Sequence, residues 1–168
     1  MKTNKRYRMP FKRRREGKTD YRQRLRLLKS GKPRIVARCS NKNIRVQFVT
    51  YDENGDEVVA AATGTHLQDY GWEGSMGNMP ACYLAGLLAG KRALASDVGD
   101  GVLDIGHHPA IPGSNVFGVL RGVLDAGVEV PHGEEVLPDE KRIYGEHISD
   151  SMPDQVKATA EKIEADYE

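Results

Sequence analysis

Cysteine is scarce in this chain: Cys39 and Cys82 are the only two among 168 residues. They show neither CxxC spacing nor a Cys/His ligand pattern. That argues against a disulfide framework or a structural zinc site and fits a reduced, intracellular setting. Long apolar runs are missing as well. The most apolar stretch, ACYLAGLLAGKRALA, is interrupted by Lys91 and Arg92 and falls short of the roughly 20 residues that a spanning helix needs. The N-terminus is polar and basic with no apolar run behind it, so no secretory signal and no membrane partner are expected. The most telling shortage is acid. Residues 1–48 contain only Glu16 and Asp20 against 18 of the 25 Lys and Arg side chains, whereas residues 49–168 contain 22 acids against 7 bases. A net charge of +1 conceals this division, and a split of that size points to nucleic acid as a partner.

The length suits about one domain, large enough to bury its own core. Residues 1–18 offer too few apolar groups to fold alone and are expected to form an extended basic arm. Asp20 or Thr19 caps a predicted helix over DYRQRLRLLKSG, with Gly31 and Pro33 as stops. At 100° per residue, Tyr21, Leu25 and Leu28 form one stripe for docking, and Arg22, Arg26 and Lys29 gather on another. RIVARC and IRVQFVTY read as strands joined by SNKN, with Ile44, Val46 and Phe48 on one face and Arg45, Gln47 and Val49 on the other. Arg34 and Arg38 share a face of the first strand. The Asn-Gly pair in DENGD predicts a turn into a third strand, EVVAAAT.

A Gly-rich loop follows, then a helix opened by Pro80 in which Gly86 and Gly90 permit close packing. GVLDIG reads as a short buried strand and PGSNVFGVLRGVLDAG as a helix capped by Ser114. The acidic remainder is expected to be helical in two pieces, the second opening with a cap and Pro153. The fold class is therefore α/β: a mixed β-sheet, comprising an N-terminal antiparallel hairpin and a third strand, packed with helices. The expected domains are the basic arm (1–18), an α/β core (19–130) and an acidic helical C-terminal extension (131–168).

Cations over 48 residues, interleaved with Tyr7, Phe11 and Tyr21, fit phosphate binding with stacking on exposed bases. GLLAGKR fails as a phosphate loop, because three residues rather than four separate its glycines and Arg92 follows Lys91. LDIGHHP sets Asp104 near His107 and His108, but adjacent loop histidines point apart and no third ligand has metal spacing. His66, His132 and His147 are isolated. PGS at Pro112–Ser114 opens a helix whose free N–H groups could hold a phosphate.

Four segments together resemble one family, the universal 5S-rRNA-binding large-subunit ribosomal protein eighteen, in its archaeal form. They are RRREGKTDYRQRLRLLKSGKPRIVARCSNKNIRVQ, YGWEGSMGNMPACYLAGLLAGKRA, VLDIG with PGSNVFGVLRGVLDAG, and VPHGEEVLPDEKRIYGEHI. HHPAI departs from the family pattern, and the tail beyond Ser149 matches nothing in it. The resemblance implies a structural ribosomal protein, neither an enzyme nor a binder of cofactors or small-molecule substrates. Its implied partners are 5S rRNA, large-subunit (23S) rRNA and neighbouring ribosomal proteins, including the other 5S-binding protein. By position, the implied RNA contacts are Arg6, Arg8, Lys12, Arg13, Arg14, Arg15, Lys18, Thr19, Tyr21, Arg22 and Arg26. On the hairpin they are Arg34, Arg38, Ser40, Asn41, Lys42, Arg45 and Gln47; Trp72, Asn78, Gly113 and Ser114 are further candidates. Two rival readings are a general module for DNA or transfer RNA and a metal-dependent nucleic-acid enzyme using Asp104, His107 and His108.

Overall fold

The computed structural model describes residues 6–167; the first five residues of the expected arm lie outside them. Its sheet grows from a hairpin. Strand β1 (Arg34–Cys39) runs antiparallel to β2 (Ile44–Thr50), with Arg34 opposite Val49 and Cys39 opposite Ile44. The turn closes through Ser40 N–H to the Asn43 carbonyl at 2.9 Å. The Asn43 side-chain oxygen accepts from the N–H groups of both Ile44 and Gly64. Strand β3 (Glu57–Thr63) pairs antiparallel with β2 across a bulge at Phe48/Val49, and β4 (Val102–Asp104) pairs parallel with β1. The order β3-β2-β1-β4 is the mixed sheet expected from alternating strands and helices.

Period-2 alternation sends Ile35, Ala37, Ile44, Val46 and Phe48 inward, where each is at most 1 % exposed, and leaves Arg38, Arg45 and Gln47 on the opposite face. Helices α3 (Met79–Leu94) and α4 (Asn115–Asp125) cover the apolar side. Their crossing depends on small residues. A Cβ at Gly86 would strike the Val119 carbonyl, and one at Gly122 the Tyr83 carbonyl. Helix α3 opens with Pro80 in its first turn and the Asn78 side chain accepting from Ala81 N–H at 3.0 Å.

The C-terminal segment does not stand apart. Helices α5 (Glu140–Tyr144) and α6 (Met152–Asp166) pack on α3 and bury Ile143, Val156, Thr159 and Ile163. Arg92 ties this end together, donating to the Ala61 carbonyl at 2.7 Å and to the Tyr167 hydroxyl at 3.1 Å. Tyr70 donates to Asp166 at 2.7 Å.

Several local expectations are corrected. Helix α2 (Tyr21–Leu28) buries no residue and Leu25 is 57 % exposed, so the apolar stripe does not dock it. The Arg24–Asp56 ion pair holds it instead. Within the described part of the arm, Lys12–Arg15 form one helical turn, α1, rather than extended chain. It is closed by Lys18 N–H to the Arg13 carbonyl and by Arg13 Nε to Thr19 Oγ1 at 2.9 Å. Ser114 and Ser151 occupy N-cap positions, but neither side chain makes the capping bond.

Candidate nucleic-acid interface

The sheet face turned away from α3 and α4 carries a groove of about 840 Å³. Helix α2 forms one wall, the turn at 52–56 another, and the outward side chains of the hairpin form the floor. It gathers residues distant in sequence: Arg13, Lys18, Thr19, Tyr21, Arg34, Arg38, Ser40, Arg45 and Gln47 all line it. Nine of the RNA contacts expected from sequence thus converge on one concavity.

A ladder of alternating charge builds the groove. Arg24 donates to both oxygens of Asp56 at 2.7 Å, in the bidentate geometry that favours Arg–carboxylate pairs. Arg34 bridges the two acids, reaching Asp56 at 2.5 Å and Asp104 at 3.1 Å. Arg38 completes it with Nη2 at 3.0 Å from Asp104 Oδ1 and Nη1 at 2.7 Å from the Asp104 carbonyl. The Arg24 pair holds the Asp56 carboxyl below its ordinary range, with Arg34 adding to the effect. Two carboxylates among three guanidiniums leave this ladder cationic.

Position within the ladder decides which side chains can meet a ligand. Arg34 is 4 % exposed, and both terminal nitrogens are engaged with carboxylates. It serves to hold the sheet and α2 together, a correction to its expected RNA role: burying an arginine requires that its charge be compensated in place. The Arg38 side chain keeps 42 % exposure and still presents an edge to the groove. Arg6, Arg8, Lys12, Arg13, Arg14, Arg15, Arg22, Arg26, Lys42 and Arg45 are exposed and make no ion pair among the described residues. Lys18 pairs with Glu16 at 3.0 Å on the surface. Beside α1, the Phe11 and Tyr21 rings lie 5.3 Å apart and form an aromatic surface at the groove's mouth.

Two further candidates are structural. Trp72 is 2 % exposed and donates from its indole to the Ser75 carbonyl, so no face remains for stacking on a base. The Asn78 side chain is occupied capping α3. Asn41, Gly113 and Ser114 instead line a second cleft, which shares Ser40 with the groove. His107 borders the groove and His108 the second cleft, so the two rings diverge, and the Asp104 carboxylate is committed to Arg34, Arg38 and Gly106 N–H.

Sequence reasoning missed Arg24 and Asp56 as the clamp on α2, and Tyr51 and Val58 in the groove wall. Tyr51 could have been found by extending the outward alternation of Arg45, Gln47 and Val49 by one step. Nothing in the sequence marks Asp56 as the partner of an arginine 32 positions away.

The family model described as "Ribosomal large subunit proteins 60S L5, and 50S L18" matches residues 5–101, a stretch containing most of the groove. Three similar curated proteins are each called "Large ribosomal subunit protein uL18". That of Haloferax volcanii is 57 % identical over 150 residues, covering 89 % of this chain and 82 % of the relative. Those of Haloarcula marismortui and Halobacterium salinarum are 54 % and 55 % identical over 150 residues, covering 89 % of this chain and 80 % and 82 % of their own.

Proposed function

The chain belongs to the family of large-subunit ribosomal proteins that comprises 60S L5 and 50S L18, and on that premise we propose that its basic face grips 5S rRNA and bridges it to 23S rRNA in the central protuberance. Its role is structural, as part of the cytoplasmic large ribosomal subunit in contact with rRNA and other ribosomal proteins. The other 5S-binding ribosomal protein is the neighbour this placement implies.

The observation that carries the reading is the convergence of arm, α2 and hairpin on one groove. Unpaired arginines around its mouth meet phosphates through charge and counterion release. Arg45 and Gln47 on its floor supply donors at fixed spacing, because a strand holds alternate side chains to one face. Phe11 and Tyr21 offer rings to an unstacked base, the mode by which proteins select looped over duplex RNA. Phosphate contacts set affinity and register; shape and stacking set selectivity.

Competition binding tests the reading. At matched salt the protein should prefer folded 5S rRNA over transfer RNA and duplex DNA of equal length. Equal affinity for all three would reduce it to a general nucleic-acid module.

A further inference from the structure

One part of the groove lining comes from neither arm, α2 nor hairpin, but from the turn that follows β4. Ile105–His108 closes through His108 N–H to the Ile105 carbonyl at 3.2 Å. Gly106 turns the corner at φ +62°, and a Cβ there would come within 2.8 Å of Arg38 Cζ, so the guanidinium packs directly on the turn. Asp104 grips the same segment. Its Oδ1 accepts from Gly106 N–H at 2.9 Å and from Arg38 Nη2 at 3.0 Å, and its carbonyl accepts from Arg38 Nη1 at 2.7 Å. A fixed backbone therefore presents His107, which is exposed and lines the groove. The His66 and His132 rings are engaged by Arg92 and the Val130 carbonyl, whereas the His107 ring makes no hydrogen bond among the described residues. Its segment, HHPAI, departs from the family pattern, so the resemblance assigns it no role.

The carboxylates nearest this ring are already committed. Asp20, close enough to feel a charge on His107, accepts through Oδ1 from the N–H groups of Arg22 and Gln23 at the start of α2. Those bonds, that from Gln23 foremost, hold its carboxyl below the ordinary range. Asp104 is taken by Arg34 and Arg38. Arg13, Lys18 and Tyr21 line the groove from α1 and α2, and Tyr51, Asp52 and Glu53 line it from the end of β2 and the turn at 52–56. An acceptor for a charged imidazole must then come from the ligand, and the neighbouring cations Lys18 and Arg38 favour an anionic one. We propose that His107 is a further rRNA contact, its imidazolium donating to a backbone phosphate, so that binding takes up one proton from solvent at this ring. The occupant rests on the groove reading above. His107 is the single histidine among the described residues that line the groove. Histidine changes charge between pH 5 and 8, where arginine and lysine keep theirs, so this contact makes the grip depend on pH.

Filter binding of folded 5S rRNA between pH 5.5 and 8, at constant ionic strength, tests the contact. Affinity of the parent protein should rise about tenfold as pH falls, the scale of one charge-assisted hydrogen bond. The log–log salt slope should steepen by about one over the same range. His107→Gln should stay near the pH 8 affinity throughout, and His107→Lys near the pH 5.5 affinity, because lysine supplies the charge without titrating. The side chain is exposed, so neither variant disturbs the core. By reciprocity of the same linkage, the His107 imidazole resonances should titrate at higher pH in the RNA complex than in the free protein. A parent profile without slope overturns the proposal, as does a slope that survives His107→Gln. Equal loss of affinity at every pH in both variants overturns the phosphate contact and marks a ring stacked on a base. Failure of the groove reading is separable: it appears at pH 8, where histidine is neutral, as equal affinity of the parent for 5S rRNA, transfer RNA and duplex DNA.

Discussion

Asp56 and Arg34 show how one residue's burial reverses its role. In the sequence Arg34 belongs to a run of cations and reads as one more phosphate contact. In the fold the strand pairing of β1 with β4 carries it beside Asp104, and the turn after β2 delivers Asp56 to its other side. The contact became visible only when residues 22 and 70 positions apart met. The Asp56 carboxyl sits low because Arg24 stabilises its charged form, so it adds stability above the ordinary carboxylate pKa. That contribution falls away as pH drops below about 4, through the depressed folded value. Asp56→Asn should therefore cost about 2–3 kcal/mol at pH 7 and give a flatter stability profile below pH 4, read from denaturant midpoints across pH. At Gly122 the constraint is steric: Gly122→Ala pushes a methyl against the Tyr83 carbonyl. It should lower stability by at least about 1–3 kcal/mol, the usual scale of overpacking, as measured by thermal melting.

Elements were legible wherever periodicity and burial agreed. The hairpin and the Pro80 helix follow from alternation or helical spacing, the third strand from the Asn-Gly turn before it, and the short strand at Val102–Asp104 from its apolar run. The helix α2 was legible as a helix and illegible in its docking. Its apolar residues form a stripe, yet the clamp is a side chain outside that stripe, and helical periodicity carries no information about ion pairs. Trp72 was an RNA-contact candidate only through the family resemblance, and the short 3₁₀ helix Gly64–Tyr70 folds its Gly-rich loop back over the core.

The arm supplies a prediction at this scale. Arg13, Arg14 and Arg15 sit on the exposed turn of α1, and changing all three to Ala should reduce the rRNA log–log salt slope by roughly two to three units. An unaltered slope would mark them as solvated charges. The expected boundary near residue 130 meets a different test. Ile163 is fully buried and α6 packs on α3, so Ile163→Ala should cost about 2–5 kcal/mol in one cooperative transition. Two separate transitions would make residues 131–168 an independent unit.

Across the whole molecule, the charge split in the sequence becomes a split in space. The groove occupies the outer face of the sheet, whereas α6 packs behind α3 on the other side. The exposed acids Asp154, Glu161 and Glu164 on α6 make no ion pair among the described residues and therefore act through their field. We propose that this field keeps nonspecific RNA from settling on the back of the protein and orients approach so that the groove arrives first. Oriented charge of this kind acts on encounter and on weak binding, and salt removes it. Neutralising the three acids to Asn and Gln should raise affinity for duplex DNA and unrelated RNA roughly threefold near 0.01 M ionic strength, where the Debye length is about 30 Å. The gain should vanish at about 0.15 M, where that length is about 8 Å. Affinity for folded 5S rRNA should change less than affinity for competitors at both salts if the proposed groove contacts, which act at short range, set it. Filter binding across a salt series reads all three quantities. Unchanged nonspecific affinity at low salt would leave the acids with solubility alone as their role.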